Sequence, residues 1–239
     1  MRTKIALSMA VFGLLAVSPI AVQIGAQEKP KPTVKIPEAG VPQIATIEGN
    51  FVRAAYNNEG YAILGYQIAN LSVGEEWMLL DFGATIMDGV KNQKMLRDAI
   101  SLETPDGTKL ALASVQDYRA ANLRALENRA RVTRDSINYF PPMATQPCRI
   151  GFFSDVASPA IAWDQVELSD NRACLGRLFF KVPGGIKYGQ HWLDVKFENS
   201  LVRVPFRILT KEEEKLLSKN FKDIRKQVKE AFSPKKKTQ

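Results

Sequence analysis

The stretch that decides the fold is CLGRLFFKVPGGIKYGQHWLDVKFENSLVRVPFRI, residues 174–208. Apolar and polar residues alternate in it twice, over 193–198 and again over 202–208. A period of two with one apolar face is typical of strands in a half-buried antiparallel sheet. Asn199 and Ser200 lie between the two runs and predict the turn of a hairpin. Because Pro205 has no amide hydrogen to donate, we expect the last strand to lie at a sheet edge or to be bulged there.

The same kind of pattern recurs through much of residues 43–209. Residues 64–68 alternate, residues 77–87 have the composition of a strand, and residues 105–107 supply a Pro-Asp-Gly turn. The chain is 45% hydrophobic and 24% charged, which excludes collagen-like and wholly disordered classes. Many short strands separated by turn signals indicate a sandwich of two sheets.

In residues 174–208 a strand ends in a Val-Pro turn and is followed by a terminal hairpin. This arrangement resembles the closing strands of immunoglobulin-like domains in exported bacterial proteins. The resemblance implies fold and export at most. The predicted fold class is therefore mainly β, an immunoglobulin-like antiparallel β-sandwich with one helical insertion and a C-terminal amphipathic helix.

The predicted insertion covers residues 115–138, which lack alternation, Gly and Pro and are rich in Ala, Leu and Arg. Pro141 and Pro142 would end it. We expect its arginines to form a solvated basic face whose stems cover apolar surface. The residues expected to face inward are Tyr118, Ala121, Ala125 and Val132.

The first 26 residues have the layout of an export signal. Arg2 and Lys4 precede an uncharged run over residues 5–26, with small residues before Gln27. The alternative is an uncleaved N-terminal anchor, since the run is long enough to span a bilayer. Residues 27–42 are punctuated by proline, which predicts an extended linker. The expected location is the periplasm or the extracellular medium.

The chain has two cysteines, Cys148 and Cys174. In an oxidising compartment an isolated pair predicts one disulfide. The alternative is a pair of buried free thiols. A redox-active pair is disfavoured because the two residues are not in a C-x-x-C motif.

Residues 210–239 predict a basic amphipathic helix and tail. Thr210 and Glu213 have the spacing of a capping box, and Pro234 would stop the helix. Residues 211–239 contain ten Lys and Arg against five Asp and Glu, within a chain whose formal net charge is +8. Apart from Arg2 and Lys4 the rest of the chain is nearly neutral, so an anionic partner is expected for this segment alone. The apolar stripe consists of Leu217, Phe221, Ile224, Val228 and Ala231.

Candidate catalytic and metal-binding residues are few. A catalytic histidine acts on a nucleophile, and the sequence contains no recognisable nucleophile motif. We therefore expect His191 to have a structural role near a strand end. Four acids lie near the second cysteine, so calcium binding and paired-carboxylate hydrolysis are considered for them. Their spacing does not match that of an EF-hand loop. No catalytic, metal or cofactor residue is predicted. The four acids are Asp155, Asp164, Glu167 and Asp170.

The favoured hypothesis is an exported, non-catalytic binding or scaffold module that docks through its basic C-terminal helix. The partner would be another exported protein or an anionic membrane surface. The alternatives are a peripheral membrane-surface protein and an unrecognised carboxylate-based hydrolase. Nucleic acid is disfavoured by export and by the lack of interleaved basic and stacking residues. The predicted contact residues are Phe221, Lys222, Ile224, Arg225, Val228 and Lys229.

Overall fold

A computed structural model describes residues 42–133, 135–154 and 161–232, with side chains in the last helix described as far as Asn220, together with Lys222. The strands are β1 (Ile44–Ile47), β2 (Val52–Tyr56), β3 (Gly60–Gly65), β4 (Trp77–Ile86), β5 (Gln93–Leu96), β6 (Ile100–Glu103), β7 (Lys109–Ala111), β8 (Gln146–Ile150), β9 (Gln165–Leu168), β10 (Arg172–Lys181), β11 (Gly189–Lys196) and β12 (Leu201–Ile208). The helices are α1 (Gln67–Leu71), α2 (Val115–Ala120), α3 (Arg124–Val132) and α4 (Lys211–Phe232).

The described strands form three sheets. The largest has the order β1-β2-β3-β4-β10-β8, the second has the order β12-β11-β6-β7, and β5 pairs with β9. Every pairing is antiparallel except that of β10 with β8, which is parallel. The prediction of a mainly β fold with antiparallel sheets is confirmed. The finer assignment to the immunoglobulin-like class stays a prediction.

The terminal hairpin forms as the alternation predicts. Strands β11 and β12 pair with Lys196 opposite Leu201, so Asn199 and Ser200 lie in the connection. Leu193 and Val204 are register partners and both are fully buried, each contributing about 1.5–3 kcal/mol to folding. Strand β12 is an edge strand of its sheet, as Pro205 predicts.

The main apolar core takes side chains from both large sheets. Leu80 and Phe82 of β4 belong to the same cluster as Leu193 of β11 and Val204 of β12. A smaller cluster joins Ile63 of β3 to other apolar residues, among them Ile137 and Phe140 of the segment after α3. The six-stranded sheet is therefore packed on both of its faces.

A side-chain amide links the edge of β12 to the chain just before β1. Gln43 donates from Nε2 to the carbonyl oxygen of Arg203 over 2.9 Å, and its Oε1 accepts from the Arg203 amide over 2.9 Å. The amide of Gln43 thus pairs with β12 as a neighbouring strand would. It holds the start of the described chain against the second sheet.

The insertion contains two short helices rather than a continuous one. Ser114 caps α2 through its hydroxyl, which accepts from the Asp117 amide over 2.9 Å. Residues 121–123 interrupt the helical path, and residues 135–140 form neither helix nor strand. Because of this interruption, α3 does not continue the helical periodicity of α2, and this changes which residues of α3 face inward.

This change of phase alters which residues of the insertion are buried. Tyr118 is buried as predicted, and Ala121 is half-buried. The expectation that Ala125 and Val132 face inward is wrong, since Ala125 is exposed and Val132 is 88% exposed. In α3 the buried apolar residues are Leu126 and Ala130 instead.

Candidate functional site

The two cysteines form a disulfide, as predicted. The Sγ atoms of Cys148 and Cys174 are 2.16 Å apart, and neither thiol is free. The two residues are register partners in the parallel pair β8 and β10. The bond therefore joins the edge strand β8 to its neighbour β10, and closing this loop is worth about 3 kcal/mol.

The acids considered from the sequence as candidate calcium ligands or hydrolytic groups do not form a site in the described residues. Asp164 is exposed, Asp170 is half-buried in a turn, and Glu167 lies 3.6 Å from Arg172 in an exposed ion pair. Asp155 lies outside the described residues. No group of His, Cys, Asp or Glu suited to hold a metal occurs in the part of the chain that the structure describes.

His191 lies within β11 and is fully buried, not simply a polar residue at a strand end. Its Nδ1 is 3.0 Å from the carbonyl oxygen of Gly189, and its ring stacks on Phe206 with centroids 5.2 Å apart. Nε2 has no hydrogen-bond partner among the described residues. Burial lowers the pKa of His191 to about 4, so the ring is neutral at pH 7. The expected structural role of His191 stays a prediction.

The start of α4 is fixed to the body by several contacts. The amide of Thr210 donates to the Glu213 carboxylate over 3.0 Å, and the amide of Glu213 donates back to the Thr210 hydroxyl over 3.3 Å. This reciprocal pair is the predicted capping box. Arg207 of β12 forms an ion pair with Glu213 over 2.7 Å, and Leu217 packs against the main core. The first turns of α4 are therefore part of the folded body.

One face of α4 carries lysines and is open to solvent. Lys211, Lys215, Lys219 and Lys222 are all exposed and follow one another at helical spacing. Leu217 lies two residues from both Lys215 and Lys219, which places it on the opposite side of the helix. We call these four residues the lysine face. Of the predicted contact residues, Lys222 belongs to it, whereas the side chains of Phe221, Ile224, Arg225, Val228 and Lys229 lie outside the described part of the chain.

A polar cleft lies where α2 and α3 meet β4, β8 and β10. Its cavity volume is about 420 Å³. Asp81 of β4 is the register partner of Arg177 of β10, and Arg149 of β8 is opposite Leu175, two residues before Arg177. Residues two apart in a strand share a face. The cleft is thus lined by charged groups from three adjacent strands.

The carboxylates in the cleft are buried and have partners. Asp81 is 3.5 Å from the Nε atom of Arg177. The hydroxyl of Tyr118 lies 2.5 Å from the Glu127 carboxylate and 2.6 Å from the carbonyl oxygen of Ser154. Arg149 is exposed and forms no ion pair or side-chain hydrogen bond within the described residues. The accessible charge of the cleft is therefore positive.

This cleft is not among the sites predicted from the sequence. One signal was present, since Asp81 is the single charged residue within Trp77–Ile86, an otherwise uncharged strand. A charged residue at a buried strand position requires a partner, and Arg177 supplies it. The strand pairing that brings Arg149 close is long-range and leaves no local pattern.

None of the described helices is both long enough and apolar enough to cross a membrane. Comparison of the chain with models of protein families, with curated proteins and with solved structures finds no match.

Proposed function

We propose that this protein is an exported, non-catalytic binding module that docks through the lysine face of α4 onto an acidic surface of another exported protein. The observation that carries the proposal is the arrangement of α4. Its first turns are fixed to the body at Glu213 and Leu217, while Lys211, Lys215 and Lys219 are presented to solvent on another face. A row of cations on a fixed helix is a rigid electrostatic docking surface.

Two features support export. The N-terminal residues 1–26 have the composition of a signal, and Cys148 is bonded to Cys174. Structural disulfides persist in oxidising compartments such as the periplasm. Within this proposal, residues 27–42 serve as a spacer before the folded body.

The proposed body is an immunoglobulin-like sandwich. Its support is the core that joins the two large sheets and the terminal hairpin of β11 and β12. Two features depart from a minimal sandwich, namely the parallel pairing of β8 with β10 and the helices inserted between β7 and β8.

The contacts of α4 favour a protein partner over a membrane surface. A helix that lies on a bilayer buries its apolar face in the lipid. Leu217 begins the apolar stripe of α4 and already packs against the core, whereas the lysine face is on the other side. An acidic protein surface can meet the lysine face without displacing Leu217.

Site-specific photo-crosslinking in the producing cell tests the proposal. A photoreactive residue replaces Lys219 on the lysine face or, as a control, the exposed Lys181 at the end of β10. The account predicts a protein adduct of discrete mass from position 219 alone, in the exported fraction. Equal adducts from both positions, or none from position 219, would contradict it.

Anionic vesicles address the membrane alternative. Full-length protein is sedimented with vesicles of phosphatidylcholine alone or of phosphatidylcholine mixed with phosphatidylglycerol. The proposal predicts little co-sedimentation at physiological ionic strength with either composition. Strong co-sedimentation with the anionic vesicles would favour the membrane-surface function instead.

A carboxylate-based hydrolase is a second candidate, because Asp81 and Glu127 line one cleft. They are not the acids that the sequence suggested. Hydrolysis needs a general acid and a base or nucleophile facing the scissile bond, whereas Glu127 accepts a hydrogen bond from Tyr118. A screen of chromogenic glycosides with wild type and Glu127→Gln tests this candidate. Turnover that the variant abolishes would favour it over the binding module.

A further inference from the structure

We propose that the cleft between the helical insertion and strands β4, β8 and β10 binds a ligand that combines one carboxylate with an apolar group. This site is separate from the lysine face of α4 and does not depend on the docking proposed for it. The cleft volume of about 420 Å³ falls within the range usual for small-ligand sites.

The anionic part of the ligand follows from the balance of charges. Arg149 is exposed and unpaired within the described residues, whereas Arg131 already has an interaction partner. Asp81 and Arg177 compensate each other across a 3.5 Å ion pair. Arg149 therefore has a guanidinium available for an anionic group, and its planar set of donors matches a carboxylate.

Arg177 provides a second donor close to the same place. Its Nε faces Asp81 and one terminal nitrogen lies 3.4 Å from the carbonyl oxygen of Ala130. The guanidinium has five N–H donors, so others remain for a ligand. Since Arg149 is opposite Leu175, only two residues before Arg177, both arginines lie on one face of neighbouring strands.

The apolar part of the ligand follows from the rest of the lining. The side chains of Phe153, Leu175 and Phe179 line the cleft beside the charged groups. Leu175 is half-buried, so part of it is available for contact. Arg177 compensates the charge of Asp81. Glu127 is buried and accepts a hydrogen bond from Tyr118. Because Arg149 is the register partner of Leu175, an apolar group in contact with Leu175 would lie beside the guanidinium.

Binding is tested by NMR titration of the full-length protein with two matched pairs of probes. Phenylacetate is compared with the neutral phenylacetamide, and acetyl-Gly-Phe with a free C-terminus is compared with its C-terminal amide. The first pair represents a free small acid, and the second represents the end of a polypeptide. We expect each acid to bind more tightly than its amide, and the tighter acid identifies the source of the ligand.

The decisive variant is Arg149→Gln, since Arg149 is exposed and its loss leaves no buried charge unpaired. The matched control is Arg119→Gln, which removes an exposed arginine of α2 that does not line the cleft. Loss of a charge-assisted hydrogen bond predicts about tenfold weaker acid binding for the first variant and no change for the second. The proposal is overturned if neither acid binds at millimolar concentration, if amides bind as well as acids, or if the two variants behave alike.

Discussion

At the scale of single residues, His191 shows how burial sets the response of the fold to acid. It is the one histidine of the chain, and its Nε2 is buried without a partner among the described residues. Its pKa is lowered from 6.5 to about 4 by desolvation of the ring. The unfolded chain therefore takes up this proton at a higher pH than the folded protein does. The stability associated with the neutral ring is fully present above pH 6.5 and is lost as the pH falls toward 4.

The variant His191→Gln should reduce this loss. The difference between the two pKa values corresponds to roughly 3 kcal/mol for a buried group. We expect wild type to lose more unfolding free energy than the variant between pH 7 and pH 4.5, as measured by urea denaturation. Parallel stability curves for the two proteins would show that His191 does not titrate differently in the folded and unfolded states.

Asp135 acts in the opposite direction over nearly the same pH range. Burial raises its pKa from 3.8 to about 6, although its carboxylate accepts from the amide of Gln67 over 2.9 Å. The folded protein binds this proton more tightly than the unfolded chain does, so its contribution to stability falls as the pH rises through 6.

Asp135→Asn keeps an oxygen that accepts from Gln67 and removes the half-buried charge. We expect the variant to be more stable than wild type at pH 7 and to lose that advantage near pH 4. Urea denaturation at the two pH values measures the difference. A variant less stable than wild type at pH 7 would contradict the assigned cause of the raised pKa.

At the scale of elements, the parallel pairing of β8 with β10 depends on a glycine. A Cβ atom on Gly176 would lie 2.3 Å from the carbonyl oxygen of Ile150. The disulfide of Cys174 with Cys148 lies two residues away and limits how far the strands can separate. The close approach of these strands therefore requires the absence of a side chain at this position.

Gly176→Ala should destabilise the protein by about 1–3 kcal/mol, the usual cost of overpacking. Gly49→Ala is the matched control, because its added Cβ would meet Val52 at an ordinary 3.5 Å. The shift in the urea midpoint reports the cost. Equal midpoints for the two variants would mean that β8 moves without penalty.

The elements also differ in how well the sequence predicts them. The hairpin of β11 and β12 and the cap of α4 depend on residues close in sequence, and both form as predicted. The disulfide is predicted from the presence of two cysteines and from an oxidising compartment alone. The inward face of α3 differs from the predicted one, because the interruption over residues 121–123 carries no Gly or Pro to mark it.

At the scale of the whole molecule, the cleft arises from contacts that sequence patterns do not encode. Arg149 meets β10 only because β8 pairs with it in parallel, and Asp81 meets Arg177 through a pairing of distant strands. Neither pairing has a local signature. The charge distribution is easier to predict from the sequence than the cleft, since the excess of basic residues in 211–239 can be counted directly. Which of those lysines face solvent depends on the packing of Leu217 against the main core, a long-range contact with no local pattern.

In the proposed function, α4 is a helix that is fixed at its start and presents lysines to an acidic partner. The most direct test measures how the crosslink from position 219 responds to charge reversal. One variant carries Lys211→Glu, Lys215→Glu and Lys222→Glu. The control carries the same change at three exposed lysines of the body, which are Lys91, Lys94 and Lys181. We predict that the first set abolishes the protein adduct and that the control set preserves it. An adduct that survives reversal of the lysine face, or that both sets reduce equally, would contradict the account.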